Sequence, residues 1–328
     1  MTDNSVLNKY GFFCNSLPQL THLQLHQENA RIEKWAKMLR NWQRYSTSKH
    51  KKLKSRIRKG IPSCFRGYVW YLISGSESFK SKYPADHYQS LLQNECSRVV
   101  VNAIALDLSR TYPSHIKFKG EEGRESLNRL LKAYSVFDQE VGYTQGMSYI
   151  AALFLIFLSE ESSFWLFATV MREYHLREFF IRNMPGIHES FYVMNGLVRH
   201  NLPAIWKHFK NISVSPSMYA THWFMTGFNV NFSIEISLRV WDCFLLEGQK
   251  IFFRAGLAML KIHSKEICES QFEEMMLMNK TLGEKTDANE LMRTAFSFYL
   301  TRKLIDRLKT DYSHNPKRKY LNWERIDH

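Results

Sequence analysis

Apolar side chains recur along most of this chain at the three-and-four spacing of an α-helix, and almost nowhere at alternate positions. Ile32, Trp35, Ala36, Leu39 and Trp42 predict an amphipathic helix over residues 29–43. Tyr88, Leu91, Leu92, Cys96, Val99 and Val100 predict another over 86–101, running on through Ile104 to Arg110. Pro113 disfavours helical backbone at Tyr112, so Arg110 falls in the last turn of that helix or just beyond it. Leu127, Leu130, Leu131 and Tyr134 mark the next helix. A loop at Gly142–Met147 then feeds the most apolar stretch, Met147 to Leu158, which is too short to span a bilayer and reads as a buried helix. Phe164–Tyr174 and a segment starting at Phe191 follow, the latter ending near Asn201-Leu202-Pro203. Further helical patterns cover 217–228, 233–246, 250–263 and 289–309. The only weak strand signal is Ile212-Ser213-Val214. These patterns predict an all-α fold.

The 328 residues suffice for one large domain or two moderate ones. A change of lobe near 175–187 gives an N-terminal arm and amphipathic helix over 1–52, lobes of about 53–180 and 181–310, and a basic tail over 311–328 carrying Lys317-Arg318-Lys319. The first 28 residues are polar, with an aromatic knot at Tyr10-Gly11-Phe12-Phe13 that predicts a loosely ordered arm docking through its rings. The formal net charge of +14 points to an acidic partner. Much of that charge lies in the run Lys49, Lys51, Lys52, Lys54, Arg56, Arg58 and Lys59, which is either a solvated helix face or a contact for an anionic membrane or acidic protein. Nucleic acid is not the expected partner, because the basic residues are not interleaved with aromatics in a binding motif. Five widely spaced cysteines without a C-x-x-C motif fit a reduced, cytoplasmic setting. The opening Met-Thr-Asp-Asn-Ser has no apolar run, so no signal peptide is expected.

Familiar catalytic motifs are missing from the sequence: there is no H-E-x-x-H and no G-x-S-x-G. Leu282-Gly283-Glu284-Lys285-Thr286 resembles the end of a phosphate-binding loop without its first glycine or a preceding strand. Nucleotide binding by this chain alone is therefore not expected. Two short segments are more particular. In Ile104–Arg110, Asp107 and Arg110 are spaced to touch on one helix face, with Ile104 anchoring the turn in the core. In Gly142-Tyr143-Thr144-Gln145-Gly146, Tyr143 and Gln145 would point the same way in an extended loop, and the glycines permit close approach by a partner. Taken singly, an exposed ion pair and a core tyrosine beside a solvated glutamine would explain them. Arginine and glutamine are poor nucleophiles and poor acid–base groups at neutral pH. They can instead stabilise charge on a phosphoryl group and orient a water.

Three motifs occur in order: Arg58-x-Gly60-Ile61-Pro62-x-x-x-Arg66-x-x-x-Trp70, Ile104-x-x-Asp107-x-x-Arg110, and Val141-Gly142-Tyr143-x-Gln145-Gly146-Met147. Together with His222-Trp223-Phe224, Arg239-Val240-Trp241-Asp242-Cys243-Phe244, Gly248 and Phe252-Phe253-Arg254, they resemble the TBC-domain family of Rab GTPase-activating proteins over roughly residues 56–265. The resemblance implies a V-shaped, two-lobed helical domain and a dual-finger mechanism that regulates vesicle trafficking. Arg110 would be the arginine finger and Gln145 the glutamine finger. Asp107, Tyr143, Gly146, Arg66 and Trp70 would support the fingers or bind the GTPase. The partner would be a Rab in its GTP form, at a cytoplasmic site or peripherally on endomembranes. That Rab would hold both GTP and magnesium, so no cofactor is expected on this chain and no independent catalytic activity. The alternative within the family is a non-catalytic scaffold, which would need neither finger. One departure is Phe228–Ser233, where members often carry a proline before the Trp-Asp pair; the change is expected to alter a helix start.

Overall fold

The computed structural model describes residues 6–17 and 21–314. Within them the fold is all-α, with one two-stranded antiparallel pairing of Val6–Leu7 with Phe13–Cys14. The chain divides into two compact units, Met1–Met171 and Arg172–His328. No helix among the described residues is long and apolar enough to cross a membrane. The basic triplet at 317–319 lies outside the described residues, while positions 311–314 close the helix Arg302–His314.

In the first unit, Glu121–Phe137 is the central helix, and Leu127, Leu130, Leu131 and Tyr134 are fully buried along it. His87–Leu92, Arg98–Leu108, Ile116–Lys119 and Met147–Phe157 all pack on it. The pattern read as continuous from 86 to 110 is in fact two helices. Ser97 accepts the Val100 amide at 3.3 Å and starts the second one afresh. The 29–43 helix begins earlier than its apolar pattern, at His22, because Thr21 and Gln24 form a capping box. Most of the basic run falls on His50–Arg58, which buries Leu53 and Ile57 and leaves Lys51, Lys52 and, just beyond its end, Lys59 exposed. A solvated outer face on a helix anchored from within accounts for that pattern.

The second unit is organised around Lys250–Ile262, which meets Pro185–Asn201, Ile234–Glu247 and Ala288–Ser297. Buried Arg254 donates to the carbonyls of Ala295 at 2.8 Å, Phe298 at 2.9 Å and Leu300 at 3.3 Å. These bonds satisfy the end of Ala288–Ser297 and the turn after it, which splits the predicted 289–309 helix before Arg302–His314. The predicted 217–228 helix is likewise two short ones, Pro216–Tyr219 and Thr221–Met225. Ile212–Val214 is not a strand: Ser213 sits at φ 58° and the Val214 amide bonds back to Phe209, which closes the preceding helix. The Leu282–Thr286 stretch is a packed turn. Leu282 and Gly283 are buried, and the Thr286 hydroxyl bonds to Leu282 at 2.7 Å and to His263 at 2.8 Å. In the Phe228–Ser233 stretch, Phe228 and Asn231 have positive φ and Ser233 caps Ile234–Glu247.

Candidate functional site

The site is built at the end of Arg98–Leu108. Ile104 is fully buried and sets the inward face, and Asp107, one turn on, is only 3% exposed. The helix stops at Ser109, and Arg110 lies just past it. A helix end leaves carbonyls without partners. Here the Asp107 carbonyl is taken by the Arg110 amide at 3.3 Å and by the Thr111 hydroxyl at 2.6 Å. The same hydroxyl reaches Ser148, at 2.9 Å, on Met147–Phe157. Tyr149 on that helix donates its hydroxyl to the Arg110 carbonyl at 2.9 Å. The backbone at Arg110 is thus tied from two sides.

The carboxylate of Asp107 is the meeting point of the two motifs. Its Oδ1 accepts from Arg110 Nε at 2.8 Å and also from Nη2, while its Oδ2 accepts the Tyr143 hydroxyl. Burial, followed by the hydrogen bond to Asp107, pushes the Tyr143 phenol far above its ordinary range, so it is a fixed O–H donor near neutral pH. Asp107 keeps 4% of its side-chain surface and Arg110 keeps 48%. Solvent screening at the arginine makes the pair a modest source of stability. Its stronger effect is geometric: a buried carboxylate grips one edge of an otherwise exposed guanidinium and aims the rest outward.

Gln145 is exposed two residues beyond Tyr143. The Met147 amide bonds to the Thr144 carbonyl at 3.2 Å and closes a turn around Gln145, while the Tyr143 hydroxyl reaches Asp107. Gly146 is buried at φ 104° as it enters Met147–Phe157, a conformation any side chain would strain. Arg66 and Trp70 sit elsewhere in the unit. Arg66 is 3% exposed and Trp70 fully buried, so neither has surface to offer a partner. The Trp70 ring packs edge-on against Phe154 and Phe157, and the Arg66 guanidinium lies 5.3 Å from the Phe157 ring centre. They brace the far end of the helix that Gln145 precedes.

The sequence pattern misplaced one feature. Val99, one of the positions in the helical pattern, is 79% exposed, and Leu106 is 74% exposed. Val99, Asn102 and Leu106 form a second line along the helix, ending beside Arg110, apart from the buried line of Ile104 and Asp107.

Residues 63–268 match the family described as Rab-GTPase-TBC domain. The chain is 34% identical to the human "Ecotropic viral integration site 5 protein homolog" over 85% of its own length and 34% of that protein's. It is 33% identical to "Rab GTPase-activating protein eat-17" of Caenorhabditis elegans over 85% of its length and 31% of that protein's. It therefore spans about a third of each of these relatives. Among solved structures, the Chlamydomonas flagellar RabGAP TBC domain aligns with a TM-score of 0.68 at 30% identity, covering 89% of this chain and 99% of that one.

Removing the Tyr143 hydroxyl leaves a buried carboxylate oxygen without its donor. Tyr143→Phe is expected to lower stability by about 1–3 kcal/mol in chemical denaturation. In a double-mutant cycle with Asp107→Asn the two losses should fall short of additive. Strict additivity would mean that the hydroxyl and the carboxylate do not act together.

Proposed function

We propose that this chain, which belongs to the Rab-GTPase-TBC domain family, accelerates GTP hydrolysis on a Rab small GTPase by lending it Arg110 and Gln145. One observation carries the reading: a single buried carboxylate, Asp107, joins the exposed arginine to the tyrosine beside the exposed glutamine. Phosphoryl transfer to water needs charge neutralised on the migrating group and a water held in line. A guanidinium supplies the first through several N–H groups in one plane. A carboxamide supplies the second, accepting from the water through its oxygen and donating through its nitrogen. In this reading the Rab, loaded with GTP, contributes the nucleotide and its magnesium. This chain contributes preorganised donors that are worth most in the transition state. Switching off a Rab in this way would place the protein in the control of vesicle traffic.

The exposed Val99 and Leu106 give such a partner apolar surface to bury next to the arginine. A scaffold that binds a Rab without hydrolysis would use the same surface and leave both fingers idle.

Arg110→Ala and Arg110→Lys are expected to reduce stimulation of a responsive Rab on the order of 10³-fold, which corresponds to about 4 kcal/mol of transition-state stabilisation. Lysine fails because it keeps the charge and loses the planar fork. Near-normal stimulation by either variant, measured as single-turnover phosphate release, would refute the arginine assignment. Wild-type chain should still stimulate a Rab whose own switch glutamine has been changed to alanine, and Gln145→Ala should not. If the wild type also fails on that Rab, the water-orienting role returns to the GTPase.

Leu106→Asp is expected to raise the KM for GTP-loaded Rab about tenfold with kcat at saturation retained, because it removes binding surface and no catalytic group. An unchanged KM would place the contact face elsewhere.

A further inference from the structure

The segment immediately after Arg110 is costly to hold. Tyr112 has φ 47°, a left-handed backbone unusual for an aromatic residue, and Pro113 follows it. Its hydroxyl is buried without a hydrogen-bond partner. Such a turn persists only where neighbouring contacts hold it. Some come from the turn and the residues packed on it: the Tyr112 ring meets Tyr149 edge-on at 5.7 Å and stacks on Phe118 at 6.3 Å, and the His115 amide bonds to the Tyr112 carbonyl at 3.0 Å. Others come from the N-terminal arm, more than forty residues before the matched region begins at residue 63.

The arm is a hairpin of Val6–Leu7 paired with Phe13–Cys14. The Asn8 side-chain oxygen accepts from the amides of Tyr10 at 2.9 Å and Phe12 at 3.1 Å, which shapes the loop between its strands. That loop and the second strand lie along the turn as an extra strand. Phe13 donates its amide to the Ser114 carbonyl at 2.8 Å, and Ile116 donates to the Gly11 carbonyl at 2.9 Å. His115 Nδ1 accepts the Lys117 amide at 3.1 Å, so its proton sits on Nε2, which donates to the Tyr10 carbonyl at 2.9 Å. The Phe12 ring packs edge-on against Tyr112 at 5.6 Å and His115 at 4.7 Å. Lys119 covers the Phe13 ring at 4.4 Å.

We infer that this hairpin is a positioning clamp for the arginine finger: it braces the strained Tyr112–Ile116 turn and so fixes where the chain leaves Arg110. The hairpin touches neither Rab nor nucleotide in this account. It acts through Tyr112 and Tyr149, whose hydroxyl holds the Arg110 carbonyl. The inference rests on the finger role proposed for Arg110, and it predicts a kinetic signature that a purely structural arm would not give. Loosening the clamp should lower kcat, because the finger is less well placed in the transition state, and leave the KM for Rab unchanged, because the binding face is untouched.

Two variants release the arm without truncating it. Phe12→Ala removes the ring. Gly11→Val places a Cβ 2.8 Å from His115 Nε2 at a residue whose φ is 86°. Phe12→Tyr keeps the ring and serves as the rescue. In the free chain, amide exchange at Ile116 and Lys117 is expected to speed up at least about tenfold in both releasing variants, with the global melting temperature retained. With a responsive Rab, kcat should fall about tenfold with KM within about twofold of wild type, and Phe12→Tyr should restore both exchange and kcat. Unchanged exchange would overturn the clamp, and so would faster exchange with unchanged kcat. If wild-type chain stimulates no Rab, the activity reading fails by itself, and the exchange measurement alone upholds or overturns the clamp.

Discussion

A buried carboxylate must be paired, and the arrangement around Asp107 follows from that requirement. Its neighbours are two donors from separate stretches of chain, the Arg110 guanidinium and the Tyr143 hydroxyl. Satisfying the charge therefore fixes the helix end relative to the loop that carries Gln145. The arginine cannot be drawn fully inward, because the helix stops at Ser109 and leaves it at the surface. The result is a guanidinium held at one edge and exposed at the other. That is the form needed to meet a negatively charged partner without paying again to order the side chain.

The rest of the first unit keeps this pairing in place. Met147–Phe157 reaches the site twice near its start, through Ser148 and Tyr149, and is packed at its far end by Trp70 and Arg66. Glu121–Phe137 lies beneath both it and Arg98–Leu108. Stiffness in these helices is thus tied to the position of Arg110.

Much of this was legible in the sequence, and the reasons differ by element. Pro113 put Arg110 past a helix end, and the spacing of Asp107 and Arg110 on one face predicted their contact; both are local properties. The Asp107–Tyr143 bond joins residues 36 positions apart, and no local pattern encodes it. The turn around Gln145 is closed by a backbone bond from Met147 to Thr144, which composition does not reveal. Helix breaks at Ser97 and before Arg302 were lost inside continuous apolar patterns, because caps and the carbonyl-binding Arg254 override periodicity. The aromatic knot at residues 10–13 was readable as a docking element. Its hairpin was not, since strands of two residues carry no alternation to detect. Ser264–Glu269 and Phe272–Met278 bury Ile267 and Met275 alone, so neither carries an apolar stripe to detect.

An arginine finger at Arg110 would be complementary to the transition state of phosphoryl transfer rather than to the bound substrate. The most direct measurement is the affinity of this chain for a responsive Rab loaded with GDP, with and without aluminium fluoride, which occupies the place of the migrating phosphoryl group. Fluoride is expected to tighten binding at least about a hundredfold for the wild type and to have little effect for Arg110→Ala. Equal affinity with and without fluoride, or fluoride-dependent tightening that survives the loss of Arg110, would contradict the arginine-finger assignment.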